Sequence, residues 1–202
     1  MSINSEYEEQ VNDAIFIFNN VNCIDNLQKL NIDYLKGKII ATNYNYKPLE
    51  KESQKIITEL IKMNNLGFIT VSSQPGELSK TSKQRGYVRG YILKKKIDEF
   101  EKTLYSISDN IYIRLIVDFS LIEKLKRINT YPEWYWITEK NYIPSTHVED
   151  TYIQFKYFNE TDIYNELITY YYEIEVIDLE WGRENYIHKK IVTVLDATHT
   201  IE

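Results

Sequence analysis

The chain reads as an α/β protein: a mixed, mostly parallel sheet flanked by helices, in a single domain over residues 1–202. Three observations predict this. From residue 50 onward, short apolar runs alternate with amphipathic helical stretches, the pattern of a sheet covered by crossover helices. A length of 202 residues suits one domain with a sizeable core. Two polar segments stand at the exits of strand-like runs, where open α/β sheets carry their ligand sites.

Met1 to Asn12 is polar and acidic, and suits a flexible leader or the start of a first helix. Val11 to Asn20 fits helix and strand equally. Leu27 to Leu35 has apolar residues at helical spacing, with Gly37 just past its end. Ala41 to Leu49 is an Asn/Tyr/Pro loop. Glu50 to Asn65 reads as an amphipathic helix, with Ile56, Ile57, Leu60, Ile61 and Met63 on its apolar side. Phe68 to Ser73 reads as a strand broken by Gln74-Pro75-Gly76, because proline lacks a donor and glycine permits unusual backbone angles. Glu77 to Lys83 is a polar loop, and Tyr87 to Leu93 is a second strand. Phe68 to Ser73 and Tyr87 to Leu93 have no helix between them, so that pair can be antiparallel.

Lys95 to Tyr105 is a helix with Ile97, Phe100 and Leu104 on one side, and Asn110 to Asp118 is a strand. Ser120 can cap a helix from Leu121 to Ile128, since its hydroxyl accepts from an orphan backbone amide. Residues 129–150 form a long aromatic-rich connection with Trp134, Trp136 and two prolines, and a short strand fits Trp134 to Thr138. Thr151 to Phe158 alternates as a strand does. Thr161 can cap a helix from Asp162 to Tyr171. Glu173 to Asp178 is a strand, and Glu184 to Leu195 a closing helix.

Composition narrows the function classes. Hydrophobic residues make up 43% and charged residues 27%, a globular balance. The net charge of −6 disfavours broad nucleic-acid binding, which needs clustered Lys and Arg to displace counterions. Lys94-Lys95-Lys96 reads as a solvated helix start. Cys23 is the only cysteine, so neither an intramolecular disulfide nor a cysteine-based zinc site can form. No apolar run approaches the roughly 20 residues needed to cross a bilayer. These features suit a soluble, cytoplasmic protein. His147, His188 and His199 share no metal-binding spacing, and no cofactor motif is present.

The first candidate segment is Thr70-x-Ser72-Ser73-Gln74-Pro75-Gly76, followed by Gln84-Arg85. Hydroxyls at a strand end, an amide side chain and free backbone amides around Gly76 suit an oxygen-rich ligand. Arg85 adds a planar donor fork for a carboxylate or phosphate. The structural alternative is a polar turn whose side chains cap backbone groups. The second candidate is Asp178-x-x-Trp181-Gly182-Arg183. There Asp178 ends an apolar strand, Arg183 lies near a helix start that attracts anions, and Trp181 can stack on a flat ring. The alternative is an Asp178–Arg183 ion pair beside a packed Trp181. His147, with Glu149 and Asp150 close in sequence, is a lesser candidate base.

Taken together, Met63-Asn64-x-x-Gly67-Phe68-x-Thr70-x-x-Ser73-Gln74-Pro75-Gly76, Gln84-Arg85-x-x-Val88-x-Gly90-Tyr91 and Asp178-x-x-Trp181-Gly182-Arg183 resemble an uncharacterised family of bacterial proteins. Its members carry L-N-x-x-G-F-x-T-x-x-S-Q-P-G, Q-R-x-x-V-x-G-F and D-P-x-W-G-R segments in this order. The resemblance spans residues 27 to 195. Met63 stands for Leu, Tyr91 for Phe and Leu179 for Pro, and the last change bears on the turn after Asp178. The resemblance implies a site and no particular chemistry.

The reading that follows is binding of a small anionic or nucleotide-like ligand at a strand-end site. Thr70, Ser72, Ser73, Gln74, Gly76 and Gln84 would contact it, with Arg85 and Arg183 as anion clamps and Trp181 as a stacking wall. Were there catalysis, Asp178 would be the general base of a metal-independent hydrolysis or glycosyl transfer. The alternative is an interaction module without catalysis, whose many tyrosines meet a protein partner.

Overall fold

A computed structural model describes residues 3–80, 83–116 and 163–199. The expectations placed on Ser120, on the aromatic connection with Trp134, Trp136 and His147, on the strand at Thr151 to Phe158 and on the Thr161 cap lie outside the described residues.

Helices α1 (Ile3–Asn19) and α2 (Ile24–Leu35) come first, so the ambiguous stretch at Val11 to Asn20 is helical. The chain turns after α2 at Gly37, whose φ of 72° is the left-handed conformation that favours glycine. The long helix expected from Glu50 is divided. A 3-10 turn (Lys51–Lys55) leads through Ile56, at φ −121° and ψ 0°, into α3 (Ile57–Asn65). Strands β1 (Ile69–Gln74), β2 (Glu77–Leu78) and β3 (Lys83–Leu93) follow, then α4 (Ile97–Ile107) and β4 (Ile111–Ile116). The last three described elements are α5 (Ile163–Tyr170), β5 (Tyr171–Trp181) and α6 (Tyr186–His199).

The sheet corrects the expected fold class. Its order is β1-β3-β5-β4, and every recorded pairing is antiparallel, so it is not a mostly parallel sheet. The physical reason lies in the position of β5. Strands β3 and β4 both run opposite to β5, hence parallel to one another, as a helical crossover through α4 requires. They are not neighbours, because β5 is inserted between them. Alternation of strand and helix along a chain states direction after a crossover but not adjacency. A cue was present in β5, where Glu173-Ile174-Glu175-Val176 alternates charge with aliphatic residues. Parallel strands covered on both faces read as nearly continuous apolar runs.

Strands β1 and β2 are one long hairpin arm interrupted at Pro75-Gly76. Gln74 pairs with Tyr87 before the break, and Glu77 pairs with Gln84 after it. A bulge between Thr70 and Ser72 shifts the register opposite Gly90. Glycine is required at 90, since a Cβ there would collide with the Ile69 carbonyl and the Phe68 ring.

Each sheet face has its own core. Val88 and Ile92 of β3, Ile111 and Ile113 of β4, and Ile174 and Val176 of β5 face Ile56, Leu60 and Met63, Phe100 and Leu104 of α4, and Ile187, Ile191 and Leu195 of α6. The other face carries a smaller cluster of Phe18, Val21, Ile24 and Leu27 with Ile69, Tyr91, Ile163 and Leu167. Tyr171 and Tyr172 pack against opposite clusters, as the period of a strand demands, while Tyr170 is exposed.

Candidate functional site

The segments singled out in the sequence meet where the Pro75-Gly76 break faces the turn between β5 and α6. The Gly76 amide donates to the Glu184 carbonyl at 3.1 Å. A Cβ on Gly76 would lie 2.8 Å from the Arg183 carbonyl oxygen, so only glycine permits this approach. Gly182, at φ 77°, donates its amide to the Gln84 carbonyl at 3.3 Å, and a Cβ there would collide with Leu78. The Gln84 side chain closes the ring by donating from Nε2 to the Pro75 carbonyl at 3.3 Å.

Asp178 lies at the centre of this junction with no exposed surface. Its carboxylate accepts from Arg183 Nε at 2.8 and 3.0 Å and also from Arg183 Nη2. The Glu180 amide is a further donor at 3.0 Å. Arg183 also donates from Nη2 to the Asp109 carbonyl at 3.1 Å and lies 3.6 Å over the Tyr186 ring. Tyr186 in turn donates from its hydroxyl to Asp109 Oδ1 at 2.7 Å, a bond that holds the Asp109 carboxyl below its ordinary range. An unpaired buried carboxylate is costly, and this double fork compensates it. The arrangement matches the structural alternative for this pair. Asp178 is enclosed by this pairing, while Arg183 keeps a partly exposed guanidinium whose Nη1 lies 3.8 Å from Asp109 Oδ1.

Arg85 and Trp181 form the rim of the junction. They are register partners on β3 and β5, and the Arg85 guanidinium lies 4.3 Å over the indole. Arg85 Nε donates to the Leu179 carbonyl at 2.9 Å. Both residues are half-buried. The Gln74 side chain, two residues before Gly76, has a buried Nε2 without a hydrogen-bond partner among the described residues.

Three expected residues lie elsewhere. Thr70 belongs to a buried network: its hydroxyl accepts from Asn64 Nδ2 at 2.7 Å, and its carbonyl accepts from Asn31 Nδ2 at 3.2 Å. Ser72 shares a hydrogen bond of 2.8 Å with the Tyr87 hydroxyl on the second sheet face. Ser73 is half-buried opposite Val88. Of the histidines, only His188 has a described side chain, and it is fully buried at the start of α6. Burial pushes its pKa down to about 4 against an opposing contribution from the Tyr87 carbonyl.

Residues 17–115 match the family model of a domain of unknown function, DUF6919. The matched residues contain Thr70 to Gly76, Gln84 and Arg85, and they end before Asp178, Trp181 and Arg183. No curated protein matches the chain. The junction therefore joins two segments inside the matched residues to one outside them.

Sequence reasoning missed a second polar group. Arg89, Glu173 and Glu175 are all buried on the sheet face opposite the larger core, together with Tyr87 and Tyr91. The signal was available in Arg85-Gly86-Tyr87-Val88-Arg89-Gly90-Tyr91 and in Glu173-Ile174-Glu175-Val176. Both put polar residues on alternate positions of what prove to be the two central strands.

Proposed function

We propose that the chain is a binding protein, and that its ligand is a small anionic or nucleotide-like molecule held at the rim of the strand-end junction. The observation that supports this is the Arg85–Trp181 stack at the end of a rigidly fastened sheet. A flat ring can extend such a stack, and the arginine fork can meet a carboxylate or phosphate. The Ser-Gln-Pro-Gly, Gln-Arg and Trp-Gly-Arg segments then act as one signature. The first and last fasten the frame, and Arg85 and Trp181 face the ligand. Hydrolysis or glycosyl transfer with Asp178 as base would require Arg183 to withdraw from it.

The test is calorimetric titration with AMP, ribose 5-phosphate and inorganic phosphate on wild type, Arg85→Ala and Trp181→Leu. Binding to wild type that is lost in both variants, each still folded by circular dichroism, is the expected result. Absence of binding by wild type, or binding unchanged in both variants, overturns the reading. A second reading, a protein-interaction module, is favoured by α1, where Phe16 is 68% and Ile17 45% exposed. A partner retained by wild type and lost by Phe16→Glu would support that one.

A further inference from the structure

A pocket of about 200 Å³ opens at the end of α2 and shares no residue with the junction. Its origin is two changes of chain direction. Gly37 turns the chain out of α2 in the left-handed conformation, and the backbone bends again at Ile56 before α3 begins. Of the lining residues, Leu35 belongs to the larger core and Leu49 packs against it, whereas Ile39 packs against the smaller cluster. The pocket therefore lies where the two cores come together. Its walls are also fastened from behind. The Tyr34 hydroxyl donates to the Lys47 carbonyl at 2.9 Å, and the Thr42 amide closes a turn onto the Asn45 carbonyl at 2.8 Å. A site held this way needs little reordering to take a ligand.

The lining divides by chemistry. Leu35 is buried and Ile39, Ile40, Leu49 and Ile57 are half-buried, so the inner wall is aliphatic. Lys36 and Gln54 are exposed at its mouth. The nearby lysines are engaged: Lys38 pairs with Asp33 at 2.8 Å, and Lys47 pairs with Glu50. Lys36 makes no side-chain ion pair among the described residues. A lysine beside a helix C-terminus suits the helix dipole whether or not a ligand binds. That plain reading explains the charge and leaves the aliphatic hollow beneath it without a role.

We infer that this pocket is a binding site for a small amphipathic carboxylate, with one ring-sized apolar body and one acidic group. The volume suits the body, since an aliphatic cavity of about 150 Å³ holds a benzene ring. Covering the half-buried wall with such a ring takes apolar surface out of water on both sides. Lys36 supplies the opposite charge that a carboxylate requires, and the Gln54 amide supplies a further donor. A cation would find no carboxylate among the lining residues, and a polyhydroxylated ligand would find an inner wall without polar side chains. This site is separate from the Arg85–Trp181 rim and does not rest on the function proposed there.

The experiment is a saturation-transfer NMR titration of the full chain with phenylacetate. Acetate, which carries the charge alone, and benzyl alcohol, which carries the ring alone, are the controls. The variants are Lys36→Gln, Ile40→Trp and Arg85→Ala. The expected result is saturable binding of phenylacetate to wild type, tighter than either control. Lys36→Gln should weaken it about three- to fivefold, the worth of one exposed ion pair. Ile40→Trp, which fills the hollow, should abolish it, and Arg85→Ala should leave it unchanged. Should Ile40→Trp fail to fold by circular dichroism, Lys36→Gln, which alters an exposed side chain, decides alone. No binding of phenylacetate by wild type overturns the proposal. So does binding that either control equals, that survives Ile40→Trp in folded protein, or that Lys36→Gln leaves unchanged. Binding lost in Arg85→Ala assigns the carboxylate to the junction instead and overturns it equally.

Discussion

His188 shows how much one side chain can weigh. Its ring is fully buried, and its pKa is pushed down to about 4 from an ordinary 6.5. The unfolded chain therefore takes up a proton on this residue at a higher pH than the native chain does. Stability from the neutral imidazole is complete above pH 6.5 and is lost as pH falls through 4. Linkage puts that loss at about 2 kcal/mol by pH 5 and about 3 kcal/mol by pH 4. Urea unfolding at pH 7.5 and pH 5, on wild type and His188→Gln, measures it. The variant should lose less stability between the two pH values, and equal losses would refute the assignment. Glycines give a second contrast at this scale. Gly37→Ala meets no neighbour but must hold a left-handed φ, at a cost of about 1 kcal/mol. Gly90→Ala drives a methyl into the Ile69 backbone, and its cost should exceed about 3 kcal/mol, overpacking against main chain that cannot yield. Melting temperatures of the two variants should differ accordingly.

Between elements, side-chain amides and ion pairs do the fastening. Asn64, in the last turn of α3, donates to the Thr70 hydroxyl and accepts from the Thr70 amide at 3.3 Å. Asn64→Ala strands both groups in the interior, which should cost about 2 kcal/mol. Hydrogen exchange at the Thr70 amide should quicken more than at Val88 on the next strand. The junction between β5 and α6 is held by Asp178 and Arg183. Asp178→Asn should cost about 3 kcal/mol, the penalty of breaking a buried pair from one side. Arg183→Lys should cost less than Asp178→Asn while losing the two-pronged geometry. Denaturant midpoints rank the three; Arg183→Lys at least as damaging as Asp178→Asn would contradict this account. Many elements were legible in the sequence, because the apolar periods of α2, α4, β3 and β5 survive in the structure, although β3 and β5 run on to Lys83–Leu93 and Tyr171–Trp181, well past the expected Tyr87 to Leu93 and Glu173 to Asp178. The division of the expected helix at Ile56 was not, since Ile56 fits the apolar stripe of a continuous helix as well as it fits the bend. Nor was β2, whose two residues look like loop and are strand only because Gln84 and Lys83 lie opposite.

At the scale of the molecule, sheet order decides what can stand alone. The residues that match the family model hold β1 to β4 nearly complete yet lack β5, the strand that joins β3 to β4. A fragment of residues 17–115 should therefore show no cooperative thermal transition by circular dichroism, whereas the full chain should. A sharp transition in the fragment would mean that β3 and β4 find another arrangement. The convergence of the Gln74-Pro75-Gly76, Gln84-Arg85 and Asp178 to Arg183 segments was legible as motif order, because each is built of residues that suit turns. The use of Asp178 and Arg183 on each other was open to either reading, since an aspartate at a strand end and an arginine at a helix start look the same whether they face a ligand or one another. Arg89, Glu173 and Glu175 went unread for a related reason: charges on alternate strand positions look solvent-facing until the other elements are placed over them.

The late, central position of β5 also sets the hazards of assembly. Until β5 docks, the β1–β3 hairpin and β4 each present an open strand edge lined by aliphatic residues such as Val88, Ile92, Ile111 and Ile113. The partner that satisfies both edges is distant in sequence, so its arrival is slow beside hairpin closure. Refolding is then a race between one chain's own β5 and the β5 of a neighbour. Yield from denaturant should fall as protein concentration rises, and the losses should appear as dimers and larger species joined strand to strand.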